Sequence, residues 1–216
     1  MADPLELLAA KDPQAVVANS LDRITEQLSS PNQATASTAV CVLTALSSHP
    51  PERGISEALL KKGIIELVRQ RLNFATDSLA LQIVNLIHNL ADTHVNRLRI
   101  LSSGALSSLT RVILEPSAPP MLKERAVEAA ASVADAGQES ISFPQLIGRL
   151  CASPLLGTQG EALKSLALLI DRKELREQLR HVPEIVSGLA AAVESKASTN
   201  RDVARQLSQT LLLPCP

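Results

Sequence analysis

Residues Asp77–Asp92, DSLALQIVNLIHNLAD, decide how the rest of the chain is read. Leu79, Ile83, Leu86, Ile87 and Leu90 recur at helical spacing, and Leu81, Val84 and Ala91 widen the apolar surface well beyond one stripe. Such a helix has to be covered on most of its sides. What remains is a narrow polar line, Ser78, Gln82, Asn85 and Asn89, at steps of four, three and four, which keeps all four on one face. Asp77 is placed to cap the helix, its carboxylate accepting from the free N–H groups of the first turn. A helix buried nearly all round, with one polar line, is what the inner helix of a helical repeat requires.

The same plan recurs on both sides of it. Just upstream stand a short helix, Ile55–Lys62, a break at Gly63 and a middle helix, Ile64–Leu72. Downstream, Asn96–Ser103, Gly104 and Ala105–Leu114 repeat that order, and a loop with Pro116, Pro119 and Pro120 leads to a long helix, Met121–Asp135. The glycines of KKGIIELV and SSGALSSL lie 41 residues apart, and NLAD and SVAD lie 43 apart. Further upstream, Ser20–Ser29, a break at Pro31 and Gln33–Ser47 form an earlier copy, ended by His49-Pro50-Pro51, where two prolines cannot continue a helix. Before it, Pro4–Ala10 and Asp12–Ala18 are short helices separated at Pro13. A fourth copy has Phe143-Pro144 in place of the glycine break, with helices at Pro144–Ala152 and Thr158–Asp171. A fifth runs Arg172–His181, Pro183–Ser195 and Asn200–Leu213, with Pro183 suited to a first helical position.

Composition agrees with packed helices. Of 216 residues 45% are apolar but only 1% aromatic, with two Phe, no Trp and no Tyr, so Leu, Ala, Val and Ile must fill the core. The 21 basic and 22 acidic side chains nearly cancel, which argues against a nucleic-acid binder with its need to displace phosphate counterions. Cys41, Cys151 and Cys215 are odd in number and far apart, which fits a reducing compartment better than a disulfide scaffold. MADPLELLAAKDP has neither the basic start nor the apolar core of a signal peptide, and no apolar run is long enough to span a membrane. LLLPCP has its Cys second from the end and is not a prenylation box. These features lead to the expectation of a soluble intracellular protein, cytoplasmic by default and with the nucleus open to it, that binds neither nucleic acid nor membrane.

A period near 40 residues, three helices per unit and a Gly or Pro at the first break resemble the armadillo repeat, with the related HEAT-like repeats the nearest alternative. The resemblance covers about residues 19–213 and is clearest over 52–136. It implies an all-α, right-handed armadillo-like solenoid of four to five three-helix repeats: 19–49, 52–92, 94–136, 138–171 and 172–213, with 1–18 as a helical cap, all one repeat domain spanning 1–216. Neighbours must stack, because one unit cannot cover its own apolar helix.

In armadillo repeats the long third helices line a concave groove. Aligned by their ends, the polar line Gln82, Asn85 and Asn89 corresponds to Arg125, Glu128 and Ser132 in the next repeat and to Ser37, Val40 and Thr44 in the previous one. Forwards it reaches Glu161, Lys164 and Leu168, then Asp202, Arg205 and Gln209. An Asn on such a ladder can clamp an extended peptide's main chain with both its C=O and its NH2. Peptide-importing members of the family place a Trp one turn earlier; here those positions hold Val40, Asn85, Glu128 and Lys164, and only Asn89 keeps the family's Asn, which argues against an import receptor. The candidate partner-binding residues are therefore Gln82, Asn85, Asn89, Arg125, Glu128, Ser132, Glu161 and Lys164.

Catalysis has little to stand on. His49, His88, His94 and His181 are scattered without metal-ligand spacing, Cys41 and Cys151 sit in apolar runs that read as core, and Cys215 reads as a free thiol. No phosphate loop, nucleophile elbow or kinase signature is present. Lys61, Lys62, Arg69 and Arg71, diluted by Glu57 and Glu66, read as a solvated face. The expected function is a non-enzymatic protein–protein interaction module, without cofactor or metal, that holds an extended or helical segment of another protein along its groove. A regulatory cofactor of a nucleotide-binding protein, of the Hsp70 nucleotide-exchange or small-GTPase exchange and chaperone kind, is the alternative on fold analogy. Homodimerisation through an end repeat is a further route, given the apolar Leu211, Leu212 and Leu213.

Overall fold

In the computed structural model, residues 4–134 and 142–211 are described, and among them the chain is built of helices with no strand. The N-terminal part comprises α1 (Pro4–Lys11), α2 (Pro13–Asn19), α3 (Leu21–Ser29), α4 (Gln33–Ser47), α5 (Ile55–Lys61), α6 (Ile64–Leu72), α7 (Asp77–Leu90), α8 (His94–Ser102), α9 (Ala105–Leu114) and α10 (Pro120–Val133). The C-terminal part comprises α11 (Phe143–Cys151), α12 (Leu156–Ile170), α13 (Lys173–Leu179), α14 (Pro183–Val193) and α15 (Ser198–Thr210). A 3-10 turn, Pro51–Arg53, begins at the second of the paired prolines. Helices fall within a residue or two of where periodicity and breakers put them, except that α15 ends three residues before the expected Leu213. The calls at Asp135, Leu212, Leu213 and Cys215 lie outside the described residues.

Local chemistry explains the boundaries. Gly63 and Gly104 sit in the left-handed region at φ 74° and 85°, where a Cβ would be strained, and each turns a short helix into the next. The Asn32 side chain caps α4 by accepting from the Ala34 and Thr35 amides. α7 differs from expectation in one detail. Thr76 holds its cap position without a side-chain bond, and Asp77 is the first helical residue, where its charge complements the helix N-terminus.

Up to α10 the helices stack in three layers. α2, α5 and α8 form the first, α3, α6 and α9 the second, and α4, α7 and α10 the third. Ile24, Leu43, Leu46, Leu59, Ile64, Ile83, Leu86, Ile87 and Leu90 are fully buried between them. Each such side chain contributes about 1.5–3 kcal/mol by leaving water. At the N-terminal end α1 lies on α4, and His49 Nε2 donates to the Ala9 carbonyl at 2.8 Å, tying the two together.

Beyond α10 the rule changes. α12, the long helix of the fourth copy, packs against α9 and α8 rather than alongside α10. Its Glu161 accepts from Ser107 Oγ of α9 at 2.9 Å and from Lys164 at 2.7 Å, and it lies over Gly104. α11 crosses α14 at Gly148 and Gly188, where a Cβ on either would land on the other helix's backbone. α12 and α15 are locked by a buried amide network. Ser195 Oγ (2.6 Å) and Asn200 Nδ2 (3.0 Å) both donate to Gln159 Oε1, while Gln159 Nε2 donates to the Cys151 carbonyl at 3.1 Å.

Candidate functional site

The open face of the α4–α7–α10 layer carries most of the residues singled out by the sequence. Neighbouring helices on it are joined by polar rungs. Ser37 Oγ of α4 donates to Gln82 Oε1 of α7 at 2.8 Å. At the other end, Asn89 Nδ2 donates to Ser48 Oγ at 3.4 Å. Between α7 and α10, His88 Nδ1 and Ser132 Oγ are 2.9 Å apart. Arg125 and Glu128 of α10 pair at 2.6 Å, both about half exposed.

Asn85 stands at the middle of this face, half-buried, and among the described residues its side chain has no hydrogen-bond partner. Its neighbours one turn away on either side, Gln82 and Asn89, are engaged. A carboxamide that keeps both its acceptor and its donors open, on a rigid helix, is equipped to meet one backbone C=O and one backbone N–H of an extended chain. The charge changes across the layer. α4 presents small neutral groups (Ser37, Thr44, Ser48), α7 presents amides, and α10 presents the Arg125–Glu128 pair. A bound segment would meet a neutral end and a charged end.

Three calls change on this face. Val40 is fully buried, so the α4 position facing Asn85 is not the valine. Cys41 is half-buried and shares the face of Ser37, Thr44 and Ser48 instead of the core. Most consequentially, Glu161 and Lys164 do not continue the ladder. Glu161 is turned inward onto Ser107, its side chain 8% exposed, while Lys164 is 69% exposed on a helix that packs on α9 and α8. End-to-end alignment of the long helices put them in one row, but α12 rests on α8 and α9, in the first and second layers.

The sequence reading overlooked Ser48 as a rung. The signal was available, since Ser48 and Asn89 are 41 residues apart, the same interval as Gly63 and Gly104. His88, placed at the groove edge, is indeed exposed beside the line. Cys151 is fully buried, and burial pushes its thiol to about 12, which leaves it inert. Among the described residues no group of three or more His, Cys, Asp or Glu side chains is arranged to hold a metal ion, and no helix is long and apolar enough to cross a membrane.

No family model and no curated relative matches this sequence. Solved structures do match. A computationally designed armadillo repeat protein for modular peptide recognition is 17% identical over 95% of this chain and 90% of its own, with a TM-score of 0.57. The chain has an armadillo-like solenoid fold. A second designed armadillo repeat protein, solved in complex with the peptide (KR)4, is also 17% identical, covers 96% of this chain and 90% of its own, and superposes with a TM-score of 0.57. An engineered protein covering 97% of this chain and 90% of its own gives 0.59, again at 17% identity. Such a likeness describes the arrangement of helices in the solenoid.

Proposed function

We propose that this armadillo-like solenoid is a non-enzymatic, intracellular scaffold that holds an extended segment of another protein across the α4–α7–α10 face. The observation that carries the reading is the Asn85 carboxamide, half-buried and unspent at the centre of a face where Gln82, Asn89 and Ser132 are held in rungs. Gln82, Asn89 and Ser132 set the spacing of the rungs. Arg125 and Glu128 flank the charged end and select against partners that cannot satisfy both signs. The designed armadillo proteins built for peptide recognition support the same use of the fold. Glu161 and Lys164 leave the candidate set, since they lie off this face.

The test is selection of peptides from a random displayed library on the whole chain, followed by affinity measurement by fluorescence anisotropy. Losing both hydrogen bonds of a main-chain clamp at Asn85→Ala should weaken a selected peptide about tenfold or more, with helicity unchanged by circular dichroism. Equal binding by the well-folded Asn85→Ala and Asn89→Ala double variant would remove this face from the account.

A further inference from the structure

At the edge of the array the loop between α6 and α7 meets the loop between α9 and α10, and a cavity of about 620 Å3 opens between them. Leu72, Ala80, Ala118 and Leu122, all buried, line it with apolar surface. Phe74 lines it too, yet is 76% exposed. That ring is out of keeping with the rest of the chain, which has two Phe, no Trp and no Tyr, and whose other ring, Phe143, is buried. Its backbone is anchored on both sides. Gln33 Nε2 of α4 donates to the Phe74 carbonyl at 2.9 Å, and the Phe74 N–H donates to the Arg71 carbonyl at 3.1 Å. Met121, 60% exposed at the start of α10, adds a second apolar side chain next to Leu122 in sequence. An aromatic side chain held out to water on an anchored backbone is prepared for burial against a partner, with little ordering left to do.

The charges decide which partner. Asp77 and Arg111 both line the cavity and both are exposed, and among the described residues neither has a hydrogen bond or an ion pair. Glu115 lines it as well, but its carboxylate is engaged by the Ser117 hydroxyl at 2.8 Å and the Ser117 N–H at 3.4 Å. What stays open is one carboxylate, one guanidinium and one presented ring, all on a single surface. Such a set is self-complementary. In a two-fold dimer, residue i of one copy meets residue j of the other, and j meets i. Each Arg111 then faces the Asp77 of the other copy, and the contact is made twice. An unrelated partner would have to match both signs at the right spacing, whereas a second copy does so by symmetry.

We propose that this edge is a self-association surface on which a second copy of the chain docks about a two-fold axis. Phe74 of each copy enters the cavity of the other, and two Arg111–Asp77 pairs form across the axis. The ring supplies most of the affinity, as aromatic anchors in pockets do, and the exposed charges fix the register. The surface lies at the N-terminal ends of α7 and α10, does not include Asn85, and does not rest on peptide binding along the α4–α7–α10 face.

The experiment is sedimentation velocity of the full chain over a dilution series, with circular dichroism on every variant. The wild type should sediment as a dimer when concentrated and dissociate on dilution. Phe74→Asp, at a side chain with few contacts in the free chain, should loosen the dimer about thirtyfold or more. Asp77→Arg and Arg111→Asp should each be monomeric alone, because like charges then meet at both contacts. An equimolar mixture of those two variants should dimerise, because every contact again joins opposite signs. If Asp77→Arg loses helicity, the wild type and Phe74→Asp still decide. A wild type that stays monomeric at every concentration overturns the proposal. So does a Phe74→Asp variant, or a single charge variant, that dimerises as the wild type does, and so does a folded mixture that stays monomeric.

Discussion

Two parts of this solenoid obey different packing rules. From α2 to α10 each helix lies beside its counterpart one repeat away, and the third layer is stitched across by single polar rungs, Ser37 to Gln82, Asn89 to Ser48 and His88 to Ser132. From α11 onward the joints are tighter and internal: two glycines where α11 crosses α14, and a buried amide network centred on Gln159. The first part leaves polar groups on an open face, one of them unspent. The second draws Gln159, Ser195 and Glu161 inward into hydrogen bonds between helices. A repeat array can thus differ along its length, with an open polar face at one end and a unit docked through α12 at the other.

The largest effect that separates the two parts is a cavity in the array. Leu86→Ala should cost about 2–5 kcal/mol, and hydrogen exchange should show the loss across α4, α7 and α10 more than across α14 and α15. Equal loss everywhere would mean that the two parts unfold as one. Conversely, Gly188→Ala forces a methyl into the Gly148 backbone and should cost about 1–3 kcal/mol, lost chiefly from residues 143–211. A neutral result there would show that the helix crossing is not held at the distance described.

The docking between the parts is tested by Ser107→Ala. Removing one hydrogen bond to the buried Glu161 carboxylate should cost about 1–3 kcal/mol and raise exchange in α12 without changing α4 or α7. The smallest effect is chemical. Cys151 should resist alkylation in the native protein and react only as α11 opens, whereas Cys41, half-buried on the open layer, reacts earlier. The Cys151 thiol, at 9.0 when exposed and about 12 in the fold, keeps its proton in the native state. The stability this contributes is fully present below pH 9.0 and is lost as pH rises toward 12, so alkaline unfolding should begin around α11.

Much of this was legible beforehand, for physical reasons. Helical periodicity, the proline stops and the paired glycines are local signals, and they placed α4, α6 and α9 to the residue. Gln82, Asn89 and Ser132, singled out because a polar line on an apolar helix has only one place to go, stand in the polar rungs between the long helices. The turning of α12 was not legible. Glu161 and Lys164, three apart, look like any solvated pair, and what draws Glu161 inward is Ser107, 54 residues earlier. Nor does periodicity separate Val40 from Cys41, adjacent small apolar residues whose burial depends on how α4 rotates against α7.

The account rests most directly on where a bound segment lies. The decisive measurement is a side-chain amide NMR map of the whole chain with a library-selected peptide added in steps. Shifts at Gln82, Asn85 and Asn89, with Gln159 and Asn200 unmoved, are the expected result. Shifts confined to Gln159 and Asn200, or to amides away from α4, α7 and α10, would contradict it.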